Sequence, residues 1–159
     1  MAFGRKGGRG RHFMRRTAIL STFFLLFLCF LASPSAAQVS IRLRVIQASN
    51  SGATIDVALR DVYDQLGSLF SFRSYRLLRD ENLALSADRS FEIPVHPGRA
   101  IEVTLVGQRK GMIEIRVKIK RAGTDILNTQ VRLFPGRTVL IGGPKHGEGV
   151  VIFALSAST

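Results

Sequence analysis

Between Gly111 and Arg121 the chain reads GMIEIRVKIKR, in which apolar Ile113, Ile115, Val117 and Ile119 alternate with charged Glu114, Arg116, Lys118 and Lys120. A period of two sustained this long describes an extended strand with one face buried and the other in water. After AGTD the alternation resumes at Leu127, Thr129, Val131 and Leu133. Two long strands joined by a short Gly-containing loop are expected to form an antiparallel hairpin.

The same period recurs upstream. SIRLRVIQA at 40–48 sets Ile41, Leu43 and Val45 on one side and Arg42 and Arg44 on the other. FRSYRLL, LALSA and SFEIPV read as short strands parted by the turn signals RDEN and DR, and AIEVTLV follows the turn HPGR. TVLIGG and GVVIFALSA are apolar without alternation, the pattern of strands covered on both faces, which places this C-terminal pair centrally.

After the N-terminal region, TIDVALRDVYDQL alone reads as a helix. Ile55, Leu59, Val62 and Leu66 recur at helical spacing, with Asp56, Arg60 and Asp64 opposite. Thr54 as N-cap and Gly67 as stop bound it near 54–67. The predicted fold is α+β: a mostly antiparallel sheet of about eight or nine short strands, or a β-sandwich-like domain, with one amphipathic helix. A signal helix is expected to precede it.

That signal rests on the first 37 residues. Six of the 23 Lys and Arg fall in the first sixteen positions with no acidic residue among them, Thr17–Ala32 is apolar and uncharged, and SPSAAQ closes the run. A basic segment, an apolar segment and small residues at −3 and −1 describe a secretory signal, cut between Ala37 and Gln38. Met14 is an alternative start. An uncleaved anchor through residues 17–33 is the alternative to release, although Pro34 ends a run slightly shorter than the ~20 residues needed to span a bilayer. The expected location is periplasmic or secreted, or else the inner membrane through that anchor. Residues 38–159 then form a single domain. The one cysteine, Cys29, leaves with the leader, so the domain is expected to hold no disulfide or thiolate site.

LIGGPKHGEGVVIFAL at 140–155 sets four glycines, a lysine, a histidine and a glutamate between two branched apolar runs. A phosphate loop requires Lys followed by Ser or Thr and then a helix, whereas Lys145 precedes His146 and a β-branched run. His146 and Glu148, with His96 from a distant turn, could make a metal site of a small hydrolase or metal-dependent periplasmic enzyme. The simpler reading is a structural turn between two strands, with Gly142, Gly143, Gly147 and Gly149 supplying freedom and Pro144 the bend. No GxSxG occurs, and Asp61 and Asp64 read as a solvated helix face. No catalytic, metal or cofactor-binding residue is assigned, and no cofactor is expected. HPGRAIEV and FPGRTVLI share Pro-Gly-Arg, which a type II turn explains.

The remaining candidate is charge. Arg116, Lys118 and Lys120 share one strand face, Arg132 lies on the paired strand, and Arg109, Lys110 and Arg121 sit at the ends. Such a face could contact an anionic surface component, whether phospholipid, lipopolysaccharide or cell-wall polymer. Nucleic acid is disfavoured because no aromatic residues interleave with these cations.

TVLIGGP at 138–144 resembles the TVxxGGL stretch in the conserved domain of bacterial secretins, the ring-forming outer-membrane channels of secretion systems, with Pro144 where those proteins tend to have leucine. The resemblance carries over only to Gly142 and Gly143 as turn glycines. The wider pattern, an export signal, an IDVAL helix, a strand-rich middle and a GGP…VVIFAL ending, is similar to small exported bacterial proteins without assigned function. Shared strand-turn geometry explains both likenesses without a common activity. The export signal, the sheet-rich domain and the lack of a coherent catalytic set instead lead to the expectation of a non-catalytic exported envelope protein acting as a binding or assembly module, and the secretin likeness adds a secretion or surface apparatus as a setting. An envelope protein is then the alternative partner to an anionic surface, and membrane contact runs only through an uncleaved leader.

Overall fold

In a computed structural model, the described residues are Met1, 38–87, 89–96 and 98–157, with His96 described as backbone only. Residues 2–37 of the leader, including Met14, Cys29, the 17–33 run and Ala37, lie outside them. The chain divides into two units, and the one described below spans Ala36–Thr159.

Among the described residues eight strands form: β1 (Val39–Ser49), β2 (Ser74–Leu85), β3 (Ser90–His96), β4 (Arg99–Arg109), β5 (Met112–Arg121), β6 (Thr124–Leu133), β7 (Thr138–His146) and β8 (Gly149–Ala157). They make two four-stranded sheets, ordered β2-β1-β8-β7 and β3-β4-β5-β6, with every pairing antiparallel. The architecture is a β-sandwich-like α+β fold with one short helical segment. Alternation drives the assembly. Ile41, Leu43 and Val45 of β1 and Val151, Phe153 and Leu155 of β8 share a buried core with Ile101 and Val103 of β4 and Ile113, Ile115, Val117 and Ile119 of β5. Burying each such side chain contributes about 1.5–3 kcal/mol.

The helical segment covers the outer face of the first sheet. It runs as a 3-10 helix over Val57–Val62 and then as α1 (Tyr63–Leu69). Leu59, Val62 and Leu66 pack on Ile46, Ala48, Ile152 and Ala154, so β1 and β8 are buried on both sides. The helix therefore begins and ends later than the expected 54–67. Asp56, not Thr54, caps it by accepting the Ala58 N–H at 3.1 Å. Thr54 is tied to β2, its carbonyl accepting the Tyr75 N–H at 2.9 Å. Gly67 lies inside α1, which continues to Leu69. The Tyr75 hydroxyl donates to the Phe70 carbonyl at 2.7 Å and fastens the return into β2.

Three further expectations are corrected. FRSYRLL and LALSA are not separate strands, because RDEN continues β2 in register against β1, with Asp80 held by Arg42 at 2.8 and 2.5 Å. Of the apolar C-terminal pair only β8 is central; β7 forms a sheet edge. Gly142, Gly143 and Pro144 do not form the turn: they lie within β7, where the register shifts between Gly142 and Lys145, and only Gly147 and Glu148 separate the paired His146 and Gly149. Gly147, at φ 57°, meets the turn's need for a left-handed residue. Gly149 begins β8 for another reason, since a Cβ there would stand 1.9 Å from the Ala48 carbonyl oxygen.

The β4–β5 and β5–β6 reversals are two-residue turns with both central residues at positive φ, Lys110 (46°) with Gly111 (78°) and Ala122 (47°) with Gly123 (81°). This geometry matches the twist of antiparallel strands. FPGR closes as a four-residue turn, the Arg137 N–H reaching the Phe134 carbonyl at 3.1 Å with Gly136 at φ 72°.

Candidate functional site

The outer face of the second sheet carries the predicted basic stripe, and the register sets carboxylates among its cations. Arg116, Lys118 and Lys120 project from β5, and Arg132 from β6. Lys120 Nζ lies 2.6 Å from Glu102 and 2.9 Å from Glu92. Hydrogen bonds to those two carboxylates, Glu102 first, hold its ammonium above its ordinary range. Lys118 stands 3.3 Å from Asp125 and 3.8 Å from Glu102, and Arg132 3.4 Å from Glu114. Arg116, opposite Thr104 and Gln130, is exposed without an ion pair among the described residues. The face is thus a lattice of alternating sign. Charges that cancel this locally project little field past a Debye length, roughly 8–10 Å in ordinary salt.

Cations without an ion pair among the described residues stand at both ends of the second sheet, Arg109 and Lys110 at the β4–β5 reversal and a second group around a cleft at the other end. The chain reverses there between β3 and β4 at Gly98, between β5 and β6 at Ala122–Gly123, and between β7 and β8 at Gly147–Glu148. The Ala122 N–H bonds the Gly98 carbonyl at 2.8 Å, joining the first two reversals. The Arg99 guanidinium donates to the Lys145 carbonyl, joining the second sheet to β7 of the first. The result is a cleft of ≈ 420 Å³ lined by Gly98, Arg99, Arg121, Ala122, Lys145, His146 and Gly147, with no carboxylate in its lining. Arg121 and Lys145 are exposed, and neither has an ion pair among the described residues. An adjoining cleft of ≈ 570 Å³ shares Gly98, Arg99 and Ala122 and adds Arg79, Lys120 and Glu92, the last already engaged by Lys120.

In the sequence Arg121 stands at the end of the stripe, Lys145 fails only as a phosphate-loop lysine, and Arg99 sits in a turn motif with no sign of a site. The available signal was weak: a Pro-Gly-Arg turn and a lysine beside a glycine turn, more than forty positions apart. Pairing of β4 with β5 sets Arg99 beside Arg121, and the packing of one sheet on the other brings Lys145 to them.

The other candidates disperse. His146 lines the cleft, but Glu148 points to another partner, its carboxylate accepting the Ser51 hydroxyl. The side chain of His96 lies outside the described atoms, and no group of three or more His, Cys, Asp and Glu among the described residues could hold a metal. Asp61 accepts both arms of the Arg44 guanidinium, at 2.7 and 2.8 Å, and that hydrogen bonding holds its carboxyl below the usual range. It clamps the helical segment to the sheet, so Asp61 belongs to a structural ion pair, while Asp64 lies exposed in the first turn of α1. Gln38, exposed, directly precedes β1. Compared with protein-family models, curated proteins and solved structures, the chain matches none.

Proposed function

We propose that this chain is a non-catalytic exported envelope protein, a binding module that holds an anionic surface component at the basic end of its sandwich. The supporting observation is the cleft in which Arg99, Arg121 and Lys145 converge with no carboxylate in the lining. Three cations around a concave opening attract phosphate or carboxylate groups at a distance, and two arginines can then grip them in bidentate fashion. The basic start and apolar run of the first 32 residues support export, which makes an envelope polymer or lipid headgroup the anion within reach. The stripe Arg116, Lys118, Lys120 and Arg132 is the weaker contact, because its carboxylates answer most of it.

Residues 36–159, which enclose their own core, suffice for the test. Binding to phosphatidylglycerol vesicles and to inorganic polyphosphate separates a lipid surface from a free phosphate polymer, with phosphatidylcholine vesicles as the neutral control. Arg121→Glu combined with Lys145→Glu is expected to weaken binding by ~tenfold or more, as is a rise in salt, whereas Arg132→Gln changes it little. Binding that ignores both the double reversal and the salt would remove the cleft from the account.

A further inference from the structure

The two sheets end in four edge strands, β2, β3, β6 and β7. An edge offers unpaired N–H and C=O groups to any passing strand, and sheets blunt it with proline, lysine, bulges or a covering segment. β3 carries Pro94 and a register shift immediately beyond it. β7 carries Pro144 and Lys145 at its own shift. β2 is covered at its start by residues 54–56, with the Asp56 N–H donating to the Tyr75 carbonyl and the Tyr75 N–H to Thr54, and it continues through charged Arg76, Arg79, Asp80 and Glu81. β6 differs. It contains neither proline nor lysine, its bulge is confined to Ile126 near its start, and from Leu127 to Leu133 it follows β5 in unbroken register with Arg132 the one charge of that stretch.

We propose that β6 is a pairing surface for β6 of a second copy of this chain, antiparallel about a two-fold axis at Thr129. Such an axis makes the interface isologous, so the strand must be complementary to its own reverse. It is. Thr129 meets Thr129 of the second copy, Asn128 meets Gln130, and Leu127 meets Val131, continuing the apolar inner face and the amide-bearing outer face across the seam. One step further the β6 bulge sets the match. Leu127 pairs with Ile119 and Asp125 with Lys120, so Ile126 is the extra residue and Asp125 returns to the outer face. That brings Asp125 opposite Arg132 of the second copy, and by symmetry this happens twice. No like charges oppose each other, and opposite charges in facing strands are favourable. Half-exposed Ile126 (48 %) and Phe134 (49 %) lie at the two ends of the strand, where joining two four-stranded sheets would cover apolar surface.

Analytical ultracentrifugation of residues 36–159 across a concentration series, without added anion, tests the pairing. The wild type is expected to be a reversible dimer. Asn128→Glu with Gln130→Glu puts carboxylates opposite each other across the seam, yet within the chain it places them opposite Lys118 and Arg116. The fold therefore keeps its melting temperature while dimerisation weakens by ~tenfold or more. A monomeric wild type at every concentration overturns the proposal, and so does a dimer indifferent to the Glu pair, which would be using another surface. Either result leaves anion binding at the cleft standing, because that binding needs only one copy.

Discussion

The outer faces of the two sheets carry the same kind of side chain and meet opposite fates. Arg44 in Ile-Arg-Leu-Arg-Val is 2 % exposed beneath the helical segment, whereas Arg116 in Ile-Glu-Ile-Arg-Val stands in water. The two arginines occupy equivalent steps of the same alternating pattern. What differs is the next layer. On the first sheet Leu59, Val62 and Leu66 press onto the strands and trap the guanidinium, which must then be satisfied by Asp61 and, at 3.4 Å, by the Ala58 carbonyl. On the second sheet nothing among the described residues covers the strands, and the cations settle among carboxylates with solvent close by. A charge on a strand is a solvated charge only while its face stays open.

This contrast can be broken or sharpened by measurement. The largest effect is expected at Gly149, where an added Cβ meets the backbone of β1 rather than a movable side chain. Gly149→Ala should cost on the order of 3 kcal/mol or more in thermal or urea unfolding. A near-wild-type melting temperature would mean that β1 and β8 do not approach this closely.

Next comes the clamp. Asp61→Ala leaves the Arg44 guanidinium buried with one long contact, and a loss of ~2–3 kcal/mol is expected, less than for a fully buried pair because Asp61 is 57 % exposed. The same pair sets an acid response. Arg44 holds the Asp61 carboxyl below its ordinary 3.8, and Arg42 does so for Asp80. Their stabilisation is therefore whole above that value and is lost as pH falls through the depressed folded values. Both tyrosines of the chain, Tyr63 and Tyr75, belong to this layer, and the chain has no tryptophan. Near-ultraviolet circular dichroism thus reports it directly. The signal should weaken on acidification, and Asp61→Ala should flatten the dependence; an unchanged acid profile in the variant would show that the clamp carries no linkage.

The smallest effect is expected in the lattice. Glu102 lies between Lys118 and Lys120, and Glu102→Gln should cost under ~1 kcal/mol, with the difference shrinking further in high salt. A loss larger than that of Asp61→Ala would invert the comparison.

The regular period of β5 and β6 was readable because their neighbours obey it too. β2 was harder to read: Arg79, Asp80, Glu81 and Asn82 look like a loop in isolation and stay extended because the facing Arg44, Arg42 and their backbone accept them in the ladder. GGPKHGEG misled in the opposite direction, since Gly143 and Gly149 serve close approaches, to β8 and to β1, and only Gly147 serves the reversal. Gly143, for one, would carry a Cβ 2.7 Å from the Phe153 ring. The cleft was hardest of all, because Arg99, Arg121 and Lys145 come from three separate reversals.

Hydrophobic periodicity alone determined that this chain builds antiparallel strands around an apolar core and one short amphipathic helix, since side-chain direction along a strand or helix is local geometry. Tertiary structure alone decided which arginine is buried, which lysines are neutralised and which cations are left to meet at an end. Those outcomes depend on what lies across a sheet or beyond its edge, and the distances that govern them run through space rather than along the chain.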